Sequence, residues 1–222
     1  MKIFSFALRV LCVVVSLTSG ASGATAQTTP GVVIFARLME QRMAALAKEP
    51  AIAQRAPGKR GIELPQAAGD SAIYFVDDSA LRDLSTLLAE NPPATPERCA
   101  RLYTSGADGF GIVFGDMLVS ADSALGDRWS SFMVRVTRAG ILRPSIERIA
   151  TSAEITNTIL ATMEKEPVAD RERFRRGAAT TGTASDICFF TMTLYRQLSS
   201  LPASRGGPVV RALMRGVKPS IP

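Results

Sequence analysis

The chemistry open to this chain is limited first by a missing residue type, because its 222 residues include no histidine. A Ser-His-Asp triad, a Cys-His pair, an HExxH zinc site and a 2-His-1-carboxylate iron site each need an imidazole. The sequence also contains no Gly-Lys-Ser/Thr phosphate loop, no G-x-S-x-G nucleophile elbow and no Ser-x-x-Lys pair. We therefore assign no catalytic, cofactor-binding or metal-ligating residue and expect no cofactor.

Paired carboxylates are an acid–base chemistry that a chain without histidine can still run. A glycoside hydrolase needs two acids about 5–9.5 Å apart, one of them with a raised pKa. Asp77 and Asp78 are adjacent, and one of them suits a helix cap. Asp116, Asp122 and Asp127 are spaced by six and five residues, which does not align them on one helix face. No pair is distinguished as catalytic.

Arginine and lysine could also form a site for a lyase without histidine. Arg37, Arg42 and Lys48 follow one another along the first predicted helix. Only their residue types favour such a site, and no motif accompanies them. A small exported hydrolase or lyase that uses carboxylates or Arg/Lys, with no metal, is therefore the alternative function.

The first 26 residues are typical of a secretory signal peptide. Lys2 and Arg9 give a positive start, residues 10–17 form an apolar run, and Ala24-Thr25-Ala26 is a suitable cleavage site before Gln27. An apolar run of about eight residues is far shorter than the roughly 20 needed to span a bilayer. We expect a cleaved protein in the periplasm or outside the cell, with no membrane span in the mature chain.

Export changes how the cysteines are interpreted. Cys12 would leave with the signal peptide, so Cys99 and Cys188 remain as an even pair in an oxidising compartment. This predicts a disulfide, to which chain-entropy models assign about 4–5 kcal/mol. Two buried free thiols are the alternative, whereas two thiols 89 positions apart without histidine do not make a zinc site.

Charge is uneven along the expected mature chain. Residues 27–110 contain nine basic and ten acidic side chains, and residues 111–222 contain fifteen and ten. No acid follows Asp186, and residues 202–222 are predicted to form a basic C-terminal tail. Such a tail suits an anionic protein or an anionic component of the cell envelope as a partner. Export argues against nucleic acid as the partner. The alternative is a tail that only increases solubility. The predicted partner contacts are Arg205, Arg211, Arg215 and Lys218.

Helical spacing dominates the rest of the chain. The pattern predicts a mainly α fold, with a single domain of six to eight helices over residues 27–201, bundle-like or orthogonally packed. Thr29 and Pro30 suit a helix start, and the apolar stretch 185–198 predicts a central, buried helix. Residues 51–71 suggest an irregular connection with a short turn of helix near Ile52. Residues 72–76 could form a short strand or lead into the next helix.

These observations favour an exported, non-enzymatic helical protein that acts by binding a protein or envelope partner. The enzyme described above is the second hypothesis, and a factor directed at a host or competitor is the third. The second requires two acids or an Arg–Lys cluster to converge in one concave pocket.

Overall fold

The computed structural model describes residues 29–146 and 148–217, and the fold is mostly helical, as predicted. These residues form eleven α-helices and one 3-10 helix, and no strand occurs among them. Six to eight helices was therefore too low a count, and the predicted packing class stays a prediction. The α-helices are α1 (Pro30–Leu46), α2 (Pro50–Arg55), α3 (Glu63–Ala68), α4 (Asp78–Glu90), α5 (Pro96–Thr104), α6 (Gly106–Ser120), α7 (Ser123–Leu142), α8 (Ser152–Lys165), α9 (Val168–Ala178), α10 (Ala184–Ser200) and α11 (Ala203–Met214).

Two stretches of the chain before α4 were predicted only in part. Residues 72–75 form the 3-10 helix and not a strand. The helical turn expected near Ile52 is present as α2, whereas α3 was not expected in the irregular connection. Each of these six-residue helices buries one aliphatic side chain completely, Ile52 and Leu64. Such short helices depend on packing for their stability and not on local propensity.

The described chain divides into two compact units. Among the described residues, unit 1 comprises residues 29–76 and 114–145. Within it, α7 packs against α1, α2, α3 and the 3-10 helix. The unit 1 core includes Phe35, Phe114 and Trp129, whose rings meet edge to face with centroids 5.6 and 5.2 Å apart along this series.

The described part of unit 2 comprises residues 77–113, residue 146 and residues 148–217. Helix α10 lies at its centre and packs against α4, α5, α8, α9 and α11, as the prediction of a central helix over 185–198 required. Its inner positions include Phe190, Leu194, Tyr195 and Leu198, each at most 2% exposed.

The predicted basic tail is in large part a packed helix. Helix α11 occupies residues 203–214, and from Gly206 onward all of its residues are buried. Apolar side chains at positions 209, 210 and 212–214 explain why the segment packs against α4 and α10. The predicted signal peptide and Lys218 lie outside the described residues. None of the described helices is long and apolar enough to cross a membrane.

Candidate functional site

The structure brings the two predicted partner cysteines together in unit 2. Cys99 lies on α5 and Cys188 in the second turn of α10, with their sulfur atoms at disulfide-bonding distance and their Cα atoms 5.1 Å apart. Cys99 is fully buried, whereas Cys188 is only half-buried. The pair would therefore link two helices that are far apart in sequence, with its two ends differing in exposure.

An aromatic cluster holds the helices around this pair. Tyr103, one turn after Cys99, meets the Phe190 ring edge to face with the centroids 4.7 Å apart, and Phe174 of α9 lies 5.0 Å from the same ring. The Tyr103 hydroxyl donates to the carbonyl of Ala178 at 3.1 Å. Burial raises the pKa of Tyr103 to about 12, so its hydroxyl stays protonated and keeps donating near neutral pH. These contacts join α5, α9 and α10 independently of the cysteine pair.

The N-terminus of α10 includes a charged network around Asp186, two residues before Cys188. Thr183 and Asp186 form a reciprocal capping box, in which the Thr183 N–H donates to Asp186 Oδ2 at 3.1 Å. Arg173 and Arg176 of α9 form ion pairs with Asp186 at 3.3 and 3.5 Å. The Thr183 amide first, and then Arg176, hold the pKa of Asp186 below its ordinary value. Arg173 also stacks over the ring of Phe189, 4.5 Å from its centroid.

Arg211 is not available to an external partner, contrary to the sequence prediction. It is 2% exposed, its Nη1 lies 2.8 Å from Asp78 Oδ1, and it donates to the carbonyl of Arg148 at 2.5 Å. Close backbone approach helps to form the pair, because a Cβ at Gly207 would lie only 2.5 Å from the Asp78 Cβ. The sequence signal for burial was the apolar run around Arg211, but nothing local identified Asp78 as its partner.

The other predicted contacts do not form one compact site. Arg205 and Arg215 are exposed near opposite ends of α11, about 15 Å apart along the helix axis. Arg196, on α10, is exposed as well. What remains of the predicted cationic surface is therefore spread over α10 and α11.

The carboxylates singled out in the sequence have structural partners. Asp77 and Asp122 accept from the backbone amides of Ala80 and Leu125 and so cap α4 and α7. Asp127 forms an ion pair with Arg42 at 2.6 Å. The prediction that one residue of the Asp77-Asp78 pair caps a helix is met by Asp77, which leaves Asp78 to face Arg211.

The carboxyl groups with clearly shifted pKa values are shifted in the direction opposite to that of a general acid. Glu154 accepts from the Thr151 amide at 2.8 Å and pairs with Arg148, and these contacts lower its pKa to about 2. Hydrogen bonds from Arg175 lower the pKa of Glu172, and the Arg60 amide with Lys59 lowers that of Glu63. These carboxylates are stabilised in the ionised form and hold helix ends and surface ion pairs.

The residues of the predicted Arg/Lys site do not lie together in the structure. Arg42 reaches across from α1 to the first turns of α7, where it also donates to the carbonyl of Asp127 at 2.9 Å. Arg37 and Lys48 lie exposed. Among the described residues, no group of three or more His, Cys, Asp or Glu side chains is placed to hold a metal ion.

Comparisons with known proteins give no further information about the site: no protein-family model matches the chain, and neither a curated protein nor a solved structure is significantly similar to it.

Proposed function

We propose that the chain is an exported, non-enzymatic helical protein that binds an anionic partner, either an acidic protein face or an anionic component of the cell envelope. The observation that carries the proposal is the sign of the exposed charge at the end of unit 2. Beyond Asp186 every charged residue of the described chain is an arginine, and Arg196, Arg205 and Arg215 are exposed. Exposed arginines in a segment without acids attract partners of the opposite charge.

The burial of Arg211 reduces the number of arginines that can contact a partner, but it does not contradict the proposal. Arg211 is compensated by Asp78 inside unit 2, so it adds nothing to the surface charge. Binding would depend on the exposed arginines, each of which can donate to a carboxylate or phosphate in a bidentate manner. Spread over two helices, these arginines suit an extended partner surface better than a single small anion.

Two features support the exported part of the proposal. The leader has the charge, apolar run and Ala-Thr-Ala ending of a signal peptide. Independently, Cys99 and Cys188 are placed at disulfide-bonding distance, and a disulfide persists in oxidising compartments but is rare in the cytosol.

A charge-reversal experiment tests the binding. In the variant R196E/R205E, two exposed arginines of the C-terminal region become acidic. In the matched control R37E/R82E, two exposed arginines on α1 and α4 are reversed, so that both proteins change net charge by the same amount. Each protein, with its cysteines oxidised, is chemically cross-linked within the exported fraction of the producing cell and then captured by an affinity tag.

We expect the wild type and R37E/R82E to yield the same cross-linked species and R196E/R205E to lose it. Loss of the species in both variants would mean that only net charge matters, and its retention in both would remove the arginines from the interface. Either result, or a wild type that cross-links to nothing above background, contradicts the proposed function. Circular dichroism spectra of the three proteins check that they are equally helical.

A further inference from the structure

The two ends of the cysteine pair face different surroundings. Cys99 is 0% exposed, while Cys188 is half-buried near the N-terminus of α10. A thiol–disulfide exchange begins when a thiolate reaches a sulfur atom along the S–S axis, so access decides which sulfur reacts.

We propose that Cys188 is the reactive end of the pair, the site at which an external thiol or disulfide exchanges with this protein, and that Cys99 acts only as the internal resolving thiol. This inference does not depend on what the protein binds. Cys188 thereby becomes a modification site, whereas the sequence predicted only a structural disulfide at this position.

The exchange proceeds in two balanced steps. In oxidation, the Cys188 thiolate attacks an external disulfide, an S–S bond forms between Cys188 and one half of the reagent, and the other half leaves as a thiolate. Cys99, after losing its proton, then attacks the Cys188 sulfur, and the second half of the reagent leaves. The two protons lost by the cysteines protonate the two released thiolates. Reduction by an external thiol is the reverse sequence: the external thiolate attacks the Cys188 sulfur and Cys99 leaves and takes up a proton, and a second external thiolate then attacks the reagent sulfur of the mixed disulfide and releases Cys188.

The charges near the N-terminus of α10 favour an anionic reagent. Ion pairs there connect three guanidinium groups with two carboxylates, so this network carries one net positive charge. Arg173 lies over the ring of Phe189, the residue next to Cys188. Glutathione, a thiol with net negative charge, should therefore react faster than a neutral thiol of similar intrinsic reactivity. The members of the network are Glu172, Arg173, Arg175, Arg176 and Asp186.

Single-cysteine variants test the assignment. C99S retains only Cys188, and C188S retains only Cys99; each is checked for wild-type helicity and then mixed with oxidised glutathione in native buffer. Intact mass gives the rate of adduct formation. We expect C99S to react at least about tenfold faster than C188S, since a buried thiol reacts only when the structure opens. In guanidinium chloride the two rates should converge.

The wild type provides a second measurement that does not depend on the variants folding. The oxidised native protein is treated with reduced glutathione, quenched with acid at early times and mapped by peptide mass spectrometry. An adduct on Cys188 supports the proposal. An adduct on Cys99, no adduct before global unfolding, or a folded C188S that reacts as fast as C99S would each overturn it.

Arg173 offers a test of the charge effect within the same assay. We expect R173Q to slow the reaction of C99S with oxidised glutathione but to leave unchanged its reaction with hydroxyethyl disulfide, which is neutral. An equal change with both reagents would show that the substitution altered access and not electrostatics.

Discussion

A charged side chain inside a helical core requires compensation, and Arg211 has it from Asp78 and from the carbonyl of Arg148. Both members of the ion pair are shielded, with side chains 2% and 11% exposed. Such a pair adds little net stability over an apolar replacement of the same shape, but removing one partner leaves the other charge buried. The structural importance of Arg211 therefore lies in what its loss would leave behind.

We expect R211A to lower the free energy of unfolding by about 3–5 kcal/mol, because it leaves the Asp78 carboxylate without its counter-charge. R205A, on the same helix but exposed, should change it by less than about 0.5 kcal/mol. Urea denaturation followed by circular dichroism measures both. If the two variants are equally stable, the buried pair is not as described.

Glu154 gives the fold a defined acid sensitivity. Its pKa is lowered from 4.5 to about 2, chiefly by the Thr151 amide and then by Arg148. Because the folded state prefers the ionised carboxylate, this interaction stabilises the fold above about pH 4.5 and is lost as the pH falls to about 2. We expect E154Q to be less stable than the wild type at pH 7 and equal to it near pH 2.

Melting temperatures measured from pH 7 to pH 2 check this expectation. E164Q, in which an exposed acid later on the same helix is neutralised, serves as the control and should follow the wild type across the range. A constant difference between E154Q and the wild type at every pH would show that the carboxylate contributes through its shape and not through its charge.

Sequence reasoning at the residue scale identified what depends on local chemistry and missed what depends on distant packing. It identified the cysteine pair, since redox compartment and parity were sufficient for that. It placed Arg211 on an exposed tail because a basic stretch without acids suggests a solvated surface. The counter-charge that permits burial, Asp78, lies on another helix more than a hundred positions away, and no local pattern connects the two.

At the scale of helices, α1 and α7 approach so closely that their contact requires glycine. A Cβ on Gly126 of α7 would lie 3.0 Å from the Gly31 Cα and closer still to its carbonyl oxygen. A Cβ on Gly31 would in turn lie 2.8 Å from that of Ala121. The backbones themselves therefore form part of the unit 1 core.

We expect G126A to destabilise unit 1 by about 1–3 kcal/mol, because the new methyl group forces the two backbones apart. Helix propensity alone predicts the opposite sign, a gain of about 1 kcal/mol for replacing glycine by alanine. The sign of the change in the urea midpoint thus separates the two effects. A stabilised G126A would show that the helices are not in backbone contact.

One helix start was predictable from a proline. Thr29-Pro30 begins α1 as predicted, with proline at the first helical position and no capping hydrogen bond from the Thr29 side chain. Of the two short helices, α2 was expected as a turn near Ile52, whereas α3 was not predictable, because it is stabilised by burying Leu64 in a tertiary core. Helix α11 was predicted as a basic tail, because its arginines suggested exposure although most of its residues are buried.

At the scale of the whole chain, export would place the leader, the cysteine pair and the exposed arginines in one location. Outside the cytosol the pair can oxidise, and unit 2 then has a covalent link between α5 and α10 in addition to its aromatic cluster. Apolar spacing predicted the helical class, whereas the two compact units depend on contacts between distant segments, which no local sequence pattern shows.

Intact-mass analysis of the protein from its producing cell measures whether the chain is exported into an oxidising compartment. The protein is treated with an alkylating reagent without reductant before its mass is measured. We expect a mass that corresponds to a chain beginning at Gln27, is lower by two hydrogen atoms and includes no alkyl group. A mass that includes residues 1–26, with Cys99 and Cys188 both alkylated, would contradict it.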